Sequence, residues 1–360
     1  MAMKTLVLKV DPQRPDKKKI DIAANLIRKG GIVAFPTETV YGLGADALNA
    51  KAVAAVFKAK KRPFDNPPIV HVSDLKDVYR LTTDVPPRAR RLMTEFWPGP
   101  LTLIFRHSKI VPDVTVAGLD TIAIRMPKHN VALALIEESD CPISAPSANL
   151  SGKPSPTTVE HVLEDLDGRI NAILDAGPTS IGVESTVLDL TVDPPQVLRP
   201  GGTSYEALKE RLGNVTLSPF AVAEQALPVG KARSPGVKHK HYAPKADVVV
   251  VEGELSAVVG RVRELVGSYG EDGRKVGVLA TDETISSYKA DVLKSLGSRS
   301  DLAGLARNLF RLLREFDEEG ADVIVAEGVP IEGLGLAVMN RLRKASGYRI
   351  IKVGESQKRL

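Results

Sequence analysis

The sequence predicts an α/β protein of two domains: an N-terminal open twisted mixed sheet with helices, and a smaller Rossmann-like parallel α/β domain. The chain has 360 residues, which is more than one hydrophobic core usually serves. Strand patterns alternate with helix patterns in both halves. Between the halves, residues 216–245 are rich in Pro, Gly and basic side chains and have no sustained period. We therefore assign residues 1–215 and 246–360 to the two domains and residues 216–245 to a linker.

The first domain begins with an apolar strand at Ile32–Phe35 and ends with several strands in succession. Short apolar runs predict strands, and amphipathic spacing predicts helices. The further strands predicted are "NPPIVHV", Leu101–Phe105, "TIAIRMP", "CPISAPSAN", "AILDAG", "STVLDLT" and "PQVLRPG". The helices predicted are "AKAVAAVFKAKK", "PPRARRLMTEF", "NVALALIEES" and "TVEHVLEDLDGRI". Because the last strands follow one another without a helix, we expect a mixed sheet.

The segment "GLGADA" at positions 42–47 matches GxGxxA, a pattern found where dinucleotides bind. Its glycines trail the first strand by several residues. In addition, no acidic residue ends a strand about 20 residues further on, where a ribose partner would lie. A nicotinamide cofactor is therefore disfavoured, and we interpret the segment as a glycine-rich turn that lets "PTET" loop back.

In the second domain, the strands "DVVVVEG", "KVGVLAT" and "DVIVAEGV" alternate with helical segments. The helical segments are "AVVGRVRELVGSY", "LARNLFRLLREFDEEG" and "LAVMNRLRKAS". Regular alternation with short loops is typical of a parallel sheet with helices on its faces. This pattern predicts the Rossmann-like fold.

Composition excludes several classes of protein. Hydrophobic residues make up 43% and charged residues 26%, as in ordinary globular proteins and unlike disordered ones. No apolar run reaches roughly 18 residues and the N-terminus lacks the pattern of a signal peptide, so we expect a cytoplasmic protein. Because Cys141 is the single cysteine, an intrachain disulfide and a cysteine-rich zinc site are both impossible.

The net charge of +5 lies in one segment. Between Lys231 and Lys245 there are five Lys or Arg residues and no acidic residue, so the rest of the chain sums to zero. A non-specific nucleic-acid binder spreads positive charge over a face and adds aromatic rings for stacking, whereas aromatic residues are 4% here. His239 and His241 lie among cations and have no third ligand at a suitable spacing, which disfavours a metal site.

Side chains suited to phosphate binding occur near several predicted strand ends. They are Lys60, Arg62, Ser147, Asn149, Ser185 and Arg199. The first two stand in "KKRP", a turn that we expect to be exposed and stiffened by prolines, with Lys61 solvated. Each residue alone is commonplace. Together they supply positive charge and short hydrogen-bond donors where open α/β sheets bind ligands. A Walker-type ATP site is excluded because GxxxxGK[ST] does not occur.

Seven sequence blocks occur in order: "PTETVYGLG", "KKRPFDNPPIVHV", "FWPGPLTLI", "IAIRMP", "SAPSANLSG", "ESTVLDL" and "LRPGG". Together they resemble the threonylcarbamoyl-adenylate synthase family, whose first domain is YrdC-like. The linker "SPGVKHKHYAP" and the Rossmann-like second domain resemble the long, two-domain form of that family. The blocks cover about Ile20 to Gly202, whereas the second domain resembles the family by pattern only.

The resemblance implies a nucleotidyltransferase that makes threonylcarbamoyl-AMP and pyrophosphate from L-threonine, bicarbonate or CO2, and ATP with Mg2+. ATP would carry the Mg2+, with no metal held by the protein itself. The product would pass to a tRNA threonylcarbamoyl transferase, which modifies the adenosine beside the anticodon. Stable binding of tRNA by this chain is not expected.

The resemblance also implies roles for individual residues, with Lys60 and Arg62 as the catalytic pair. The implied ATP-contacting residues are Lys60, Arg62, Asn66, Thr121, Ser147, Asn149, Ser155, Ser185, Arg199 and Tyr242. The implied threonine-contacting residues are Thr37, Thr39, Tyr41, His71, Arg125 and Ser185.

Two other functions compete with this interpretation. An RNA-binding protein of the same fold is disfavoured by the charge distribution and the few aromatic residues. A hydrogenase-maturation protein that processes carbamoyl phosphate shares the first domain. That protein would need zinc-finger and acylphosphatase segments, which this chain lacks.

The basic linker is expected to do more than join the domains. We expect it to fold over the ATP site as a lid, with its cations toward the phosphates and Tyr242 against the nucleotide. The alternative is a solubilising spacer between the domains.

Overall fold

The computed structural model describes residues 4–227 and 241–354, which form two compact units. The first unit contains residues 4–151 and 155–221, and the second contains residues 152–154, 222–227 and 241–354. Much of the predicted lid, including His239, lies outside the described residues, so its closure over a nucleotide stays a prediction. Within the described ranges, every helix is too short or too polar to cross a bilayer.

In its described part, the first unit is built on an eleven-stranded sheet. Its strands are β1 (Leu6–Lys9), β2 (Val33–Phe35), β3 (Gly42–Asp46), β4 (Ile69–His71), β5 (Leu101–Arg106), β6 (Thr121–Arg125), β7 (Ile143–Ser144), β8 (Ala172–Asp175), β9 (Thr186–Asp189), β10 (Gln196–Arg199) and β11 (Thr216–Leu217). Their order across the sheet is β1-β8-β2-β3-β7-β4-β6-β5-β9-β10-β11. Because β4 and β6 are parallel while β5 and β6 are antiparallel, the predicted mixed sheet is confirmed.

Helices pack against this sheet, and their buried residues belong to separate apolar clusters. They are α1 (Lys17–Arg28), α2 (Ala50–Lys60), α3 (Leu75–Leu81), α4 (Pro87–Phe96), α5 (Asp113–Val116), α6 (Asn130–Ser139), α7 (Val159–Leu166), α8 (Tyr205–Leu212) and α9 (Pro219–Val222). Ile27 of α1 and Leu135 of α6 belong to one cluster. Val56 of α2 and Val162 of α7 belong to a second cluster, and Leu92 of α4 to a third.

Helix α2 sets the position of the first predicted cations. The Asn49 side chain accepts hydrogen bonds from two backbone N–H groups of the first turn (3.1 and 3.2 Å), which would otherwise lack partners. Lys61 ends the helix in the left-handed region, with φ of 51°. Lys60 and Arg62 are only 1% and 9% exposed. The prediction of an exposed turn is therefore wrong for these two side chains, because both find carbonyl acceptors inside the unit. Lys61 is exposed, as predicted.

The segment interpreted as a glycine-rich turn is instead strand β3, antiparallel to β2. Gly44 lies opposite Val33 in this pair. A Cβ atom at position 44 would come within 2.8 Å of the Phe35 ring and 2.7 Å of Ile143. The glycine therefore serves close packing inside the sheet, and the interpretation as a turn is wrong.

The described part of the second unit contains a five-stranded sheet whose strand pairs are all parallel. Its strands are β12 (Asp247–Gly253), β13 (Val276–Ala280), β14 (Val292–Ser295), β15 (Val323–Glu327) and β16 (Ile350–Val353), in the order β14-β13-β15-β12-β16. Its helices are α10 (Leu255–Glu271), α11 (Leu302–Glu318) and α12 (Leu334–Ala345), with a short 3-10 helix at Ile285–Ser287. The predicted Rossmann-like parallel sheet is confirmed, and β14 and β16 extend it beyond the strands predicted.

Replacing Gly44 by alanine should lower the free energy of unfolding by about 1–3 kcal/mol, because the added methyl group overpacks the contact with Phe35 and Ile143. Gly42→Ala is the matched control in the same strand. Its nearest neighbour would lie at 3.3 Å, so the loss there should be smaller. Urea unfolding followed by circular dichroism measures both, and equal midpoints for the two variants would contradict the packing argument.

Candidate active site

Arg125 lies at the end of β6 and is 3% exposed. Its Nη2 atom pairs with Glu38 Oε2 at 2.5 Å, its Nη1 atom donates to Thr39 Oγ1 at 2.9 Å, and its Nε atom donates to the Gly99 carbonyl oxygen at 3.2 Å. A buried guanidinium needs such partners because an unpaired charge is costly to remove from water. The structure thus brings Arg125 and Thr39 together, and adds Glu38.

The "PTET" loop between β2 and β3 is shaped by its own hydroxyl groups. Thr37 Oγ1 accepts hydrogen bonds from the backbone N–H groups of Thr39 (3.1 Å) and Val40 (3.3 Å) and lies 2.8 Å from Thr39 Oγ1. The carbonyl oxygens of Glu38 and Thr39 accept hydrogen bonds from the backbone N–H groups of residues 181–182 (2.8 and 3.1 Å). These bonds fix the loop on both sides of Glu38 and so fix where its carboxylate lies.

His71 faces the same side of the sheet as Arg125. The two residues lie opposite each other in the parallel pair of β4 and β6, and opposed residues project to one face. The His71 ring meets Phe35 edge-on, with ring centres 6.1 Å apart. Burial lowers the pKa of His71 to about 3, and the positive charge of Arg125 acts in the same direction. The imidazole is therefore neutral at pH 7, with one nitrogen that donates and one that accepts.

Lys60 joins helix α2 to the loop that follows β7. Its ammonium group donates to the carbonyl oxygens of Ser147 and Asn149, the second at 2.6 Å. Ser147 Oγ donates to Asn149 Oδ1 at 2.6 Å. Two backbone hydrogen bonds of 2.7 and 2.9 Å tie this loop to β3 and β4. Three predicted nucleotide contacts thus come together in one hydrogen-bonded group.

Arg62 lies just after α2, and its side chain bonds to the backbone four residues further along the same loop. Its Nε and Nη2 atoms donate to the Asn66 carbonyl oxygen at 3.2 and 3.0 Å. Its guanidinium lies 5.8 Å from the centre of the Phe57 ring, which stacks on the exposed ring of Phe64 at 4.9 Å. The orientation of Arg62 is therefore set by the loop and by the aromatic pair.

Arg199 and Ser185 form a third group at β9 and β10. Arg199 donates from Nη2 to the Ser185 carbonyl oxygen (2.9 Å) and to Ser185 Oγ (3.2 Å). Ser185 Oγ also lies 2.8 Å from Thr102 Oγ1 of β5. This arrangement holds a guanidinium and two hydroxyl groups side by side on neighbouring strands.

The glycine after "LRP" is required by a close approach of two backbone segments. A Cβ atom at Gly201 would come within 2.3 Å of the Glu184 carbonyl oxygen, so only glycine fits. The Glu184 side chain accepts a hydrogen bond from Ser155 Oγ at 2.6 Å, and both residues are buried. The predicted ATP contact Ser155 is thereby linked to the segment that carries Ser185.

An apolar surface shares the sheet face with these polar groups. It is formed by Ile69, Ile104, Ala123, Val187 and Leu198. Residues two apart on a strand project to the same face, so Thr121, Ala123 and Arg125 lie in a row along β6. By the same rule Ser185 shares a face with Val187. The predicted residues on β4 and β6, and Ser185 just before β9, therefore lie on the same face as this apolar surface.

Two predicted contacts lie elsewhere in their units. The Tyr41 hydroxyl donates to the Gly177 carbonyl oxygen at 2.7 Å, and the ring belongs to the apolar cluster beneath α2 and α7. Tyr242 belongs to the second unit, where its ring stacks on Phe310 at 5.3 Å and lies under the Arg341 guanidinium. Their contacts with threonine and ATP stay predictions.

Among residues 4–227 and 241–354, the structure contains no group of three His, Cys, Asp or Glu side chains able to hold a metal ion. The predicted nucleotide contacts themselves are cations, hydroxyl groups and amides. Such a set suits phosphate oxygens and does not suit a cation held by the protein alone.

Sequence reasoning missed Glu38, Glu184 and Thr102. Glu38 stands next to Thr39, and Glu184 stands next to Ser185. A carboxylate beside a predicted ligand residue was the available signal, because short motifs often place interacting side chains in a single loop. Thr102 gave no such signal, since a threonine in an apolar strand is ordinary.

The fold and this buried polar face define an α/β protein with a YrdC-like first domain and a Rossmann-like second domain. Residues 25–201 match a family model described as telomere recombination, and residues 203–347 match the C-terminal domain of threonylcarbamoyl-AMP synthase. A threonylcarbamoyl-AMP synthase of Pyrococcus abyssi is 52% identical over 97% of this chain and 100% of its own length. One of Bacillus subtilis is 51% identical over 92% of this chain and 93% of its own.

The likeness extends to a solved structure. The crystal structure of P. abyssi Sua5 complexed with L-threonine has a TM-score of 0.92 and 51% identity, and it covers 97% of this chain and 100% of that one. The chain belongs to the threonylcarbamoyl-AMP synthase family.

The neutral state of His71 predicts a pH dependence of stability. The unfolded chain takes up a proton at this residue near pH 6.5, whereas the folded protein does so only near pH 3. The contribution of His71 to the free energy of unfolding is therefore fully present above pH 6.5. It is lost as the pH falls toward 3, by up to about 1.4 kcal/mol per pH unit. Between pH 6.5 and 5.0, wild type should lose about 2 kcal/mol more than His71→Gln in urea unfolding. Parallel losses in the two proteins would contradict the buried neutral imidazole.

Proposed function

We propose that this chain uses the groups around Arg125 to make threonylcarbamoyl-AMP from L-threonine, bicarbonate or CO2, and ATP, with release of pyrophosphate. The observation that carries the proposal is the distribution of buried cations. Lys60, Arg62, Arg125 and Arg199 are each at most 9% exposed, and each donates a hydrogen bond to a backbone carbonyl oxygen. Cations oriented in this way suit a reaction between anions.

Arg125 is the proposed partner of the threonine carboxylate. A guanidinium matches a carboxylate in geometry and charge, and the relative from P. abyssi has been crystallised with L-threonine. Thr39, together with Thr37 behind it, and the neutral ring of His71 supply partners for the threonine hydroxyl. Ser185 and Tyr41 complete the set proposed from the sequence.

The nucleotide is proposed to lie against the hydrogen-bonded group of Lys60, Ser147 and Asn149, with Arg62 and Arg199 toward its phosphates. Ser155, Ser185, Asn66, Thr121 and Tyr242 are the further contacts proposed. Mg2+ would arrive bound to ATP and is therefore part of the substrate. In this proposal the cationic and hydroxyl side chains bind the phosphate oxygens that such a complex leaves free.

In the proposed reaction, the threonine amine, as the free base, first takes up CO2 to give an N-carboxylate and releases a proton to solvent. An oxygen of that carboxylate attacks the α-phosphorus of ATP, and the bond from this phosphorus to the pyrophosphate oxygen breaks. Negative charge grows on the departing pyrophosphate. Lys60 and Arg62 stabilise that charge because they are already oriented and need no rearrangement at the moment of reaction.

The product is an activated mixed anhydride, so it must pass to an acceptor. A tRNA threonylcarbamoyl transferase in the cytoplasm is the proposed recipient. The direct test of the function is pyrophosphate release by the purified chain with no RNA present. Release should require L-threonine, bicarbonate and ATP together. Release without threonine, or only with RNA, would favour another activity or the RNA-binding alternative.

Arg62→Ala should slow pyrophosphate release by at least about tenfold, the effect of one or two lost hydrogen bonds to charged oxygens. Steady-state assays with all three substrates measure the loss. Lys61→Asn is the matched control, because it removes the adjacent exposed cation and asparagine tolerates the left-handed backbone at that position. Near-wild-type release by a folded Arg62→Ala protein would remove Arg62 from the site.

The hydroxyl partners predict an order of amino acid substrates. Valine leaves Thr39 and His71 without a hydroxyl to bind and should be activated on the order of 10⁴-fold less well than threonine. Serine keeps the hydroxyl and loses only a methyl contact, worth about 1–3 kcal/mol. Pyrophosphate release with each amino acid measures the order, and equal rates for valine and serine would contradict a hydroxyl-binding site.

A further inference from the structure

Glu38 is a buried carboxylate that pairs with one cation, and neither of its oxygens accepts a hydrogen bond from the described residues. The side chain is 6% exposed. Its Oε2 atom pairs with Arg125 at 2.5 Å, whereas its Oε1 atom accepts no hydrogen bond from residues of the described chain. A buried carboxylate oxygen ordinarily has a hydrogen-bond donor. The arrangement therefore points to a donor that comes from outside the described residues.

A second buried carboxylate near the predicted site, that of Glu184, does not share this property. Glu184 Oε1 accepts a hydrogen bond from Ser155 within the unit. Glu38 is in addition the residue that pairs with Arg125, and its backbone is anchored by residues 180–181. A ligand held by Arg125 therefore comes within reach of the Glu38 carboxylate.

The charges of the pair match those of a free amino acid. Arg125 and Glu38 together are neutral, with a positive and a negative group side by side. An amino acid zwitterion is also neutral, and standard bond lengths and angles place its ammonium nitrogen roughly 3 Å from a carboxylate oxygen. When two such dipoles lie antiparallel, each charge meets its opposite. No net charge has to be buried when the ligand enters.

We propose that Glu38 binds the α-ammonium group of the amino acid substrate, so that Arg125 and Glu38 together select a zwitterion. The inference rests on the proposed function, because it takes Arg125 as the partner of the substrate carboxylate. Glu38 is then a substrate-binding residue that holds the nitrogen in place. The ammonium group gives up one proton to solvent before the free amine attacks CO2, and a second proton leaves as the N-carboxylate forms. Glu38 also distinguishes α-amino acids from α-hydroxy acids, which lack the ammonium group.

Isothermal titration calorimetry with two ligands tests this inference. The ligands are L-threonine and the 2,3-dihydroxybutyrate of the same configuration, in which a hydroxyl replaces the ammonium group. Wild type should bind threonine at least about tenfold more tightly than the hydroxy acid, the effect of one charge-assisted hydrogen bond. In Glu38→Gln, threonine affinity should fall by at least about tenfold and the preference should vanish. Glu160→Gln, at an exposed position of α7, is the control and should leave both affinities unchanged.

The ratio of the two affinities separates ligand binding from a purely structural role. If Glu38 only supports Arg125, both ligands lose affinity equally in Glu38→Gln, and the inference is overturned. An unchanged ratio in a folded variant overturns it as well. Should Glu38→Gln fail to fold, equal affinity of wild type for the two ligands overturns it without any variant, and Glu38→Asp tests the reach of the carboxylate. Failure of wild type to bind threonine at all would instead reject the proposed function.

Discussion

The guanidinium of Arg125 ties three separate parts of the first unit together, because a buried positive charge must be compensated. Its partners are the carboxylate of Glu38, the hydroxyl of Thr39 and the carbonyl oxygen of Gly99. These contacts hold the "PTET" loop, the turn before β5 and the end of β6 against one another. The geometry of the predicted threonine pocket follows from that single requirement.

The need to compensate a buried charge also explains why Lys60, in a run of basic residues, points into the protein. Lys60 ends a helix, and on sequence grounds such a run belongs on a solvated surface. In the structure its ammonium group is surrounded by the carbonyl oxygens of Ser147 and Asn149, which come from a loop 87 and 89 positions further along the chain. Lys61 has no place in that group and stays exposed. Neighbouring lysines thus separate into a buried and a solvated one.

The fold class was predictable because it depends on local periodicity. Alternating strands and helices indicated both the mixed sheet and the parallel sheet, and the strands from Leu101 to Arg106 and from Thr121 to Arg125 were recognisable from their apolar runs. The strand at Gly42–Asp46 was not, since its glycines suggested a turn. Gly44 is required there because a side chain would collide with the Phe35 ring and with Ile143. These residues are close in space but separated along the sequence, so no local pattern reveals them.

Several side chains of the candidate site were named from the sequence, whereas most of their contacts were not. Ser147 and Asn149 stood out as small polar residues after a strand, whereas Arg125 was predicted only from the resemblance of its sequence block to the family. The partner of Arg125 did not stand out, because Glu38 lies far away in sequence and charge complementarity acts only after folding. Residue type and spacing indicate which chemistry is present. The pairing between distant loops decides which of those groups a substrate can reach.

The order of the first three strands of the large sheet constrains how the protein is made. Strand β8 lies between β1 and β2, and Leu6 is paired with Ala172. During synthesis on a ribosome, β1 and β2 therefore emerge long before the strand that joins them. Both keep an unpaired edge until then, and such edges attract other chains. We therefore expect the β1-β8-β2 part of the sheet to form late in synthesis, once β8 has been made.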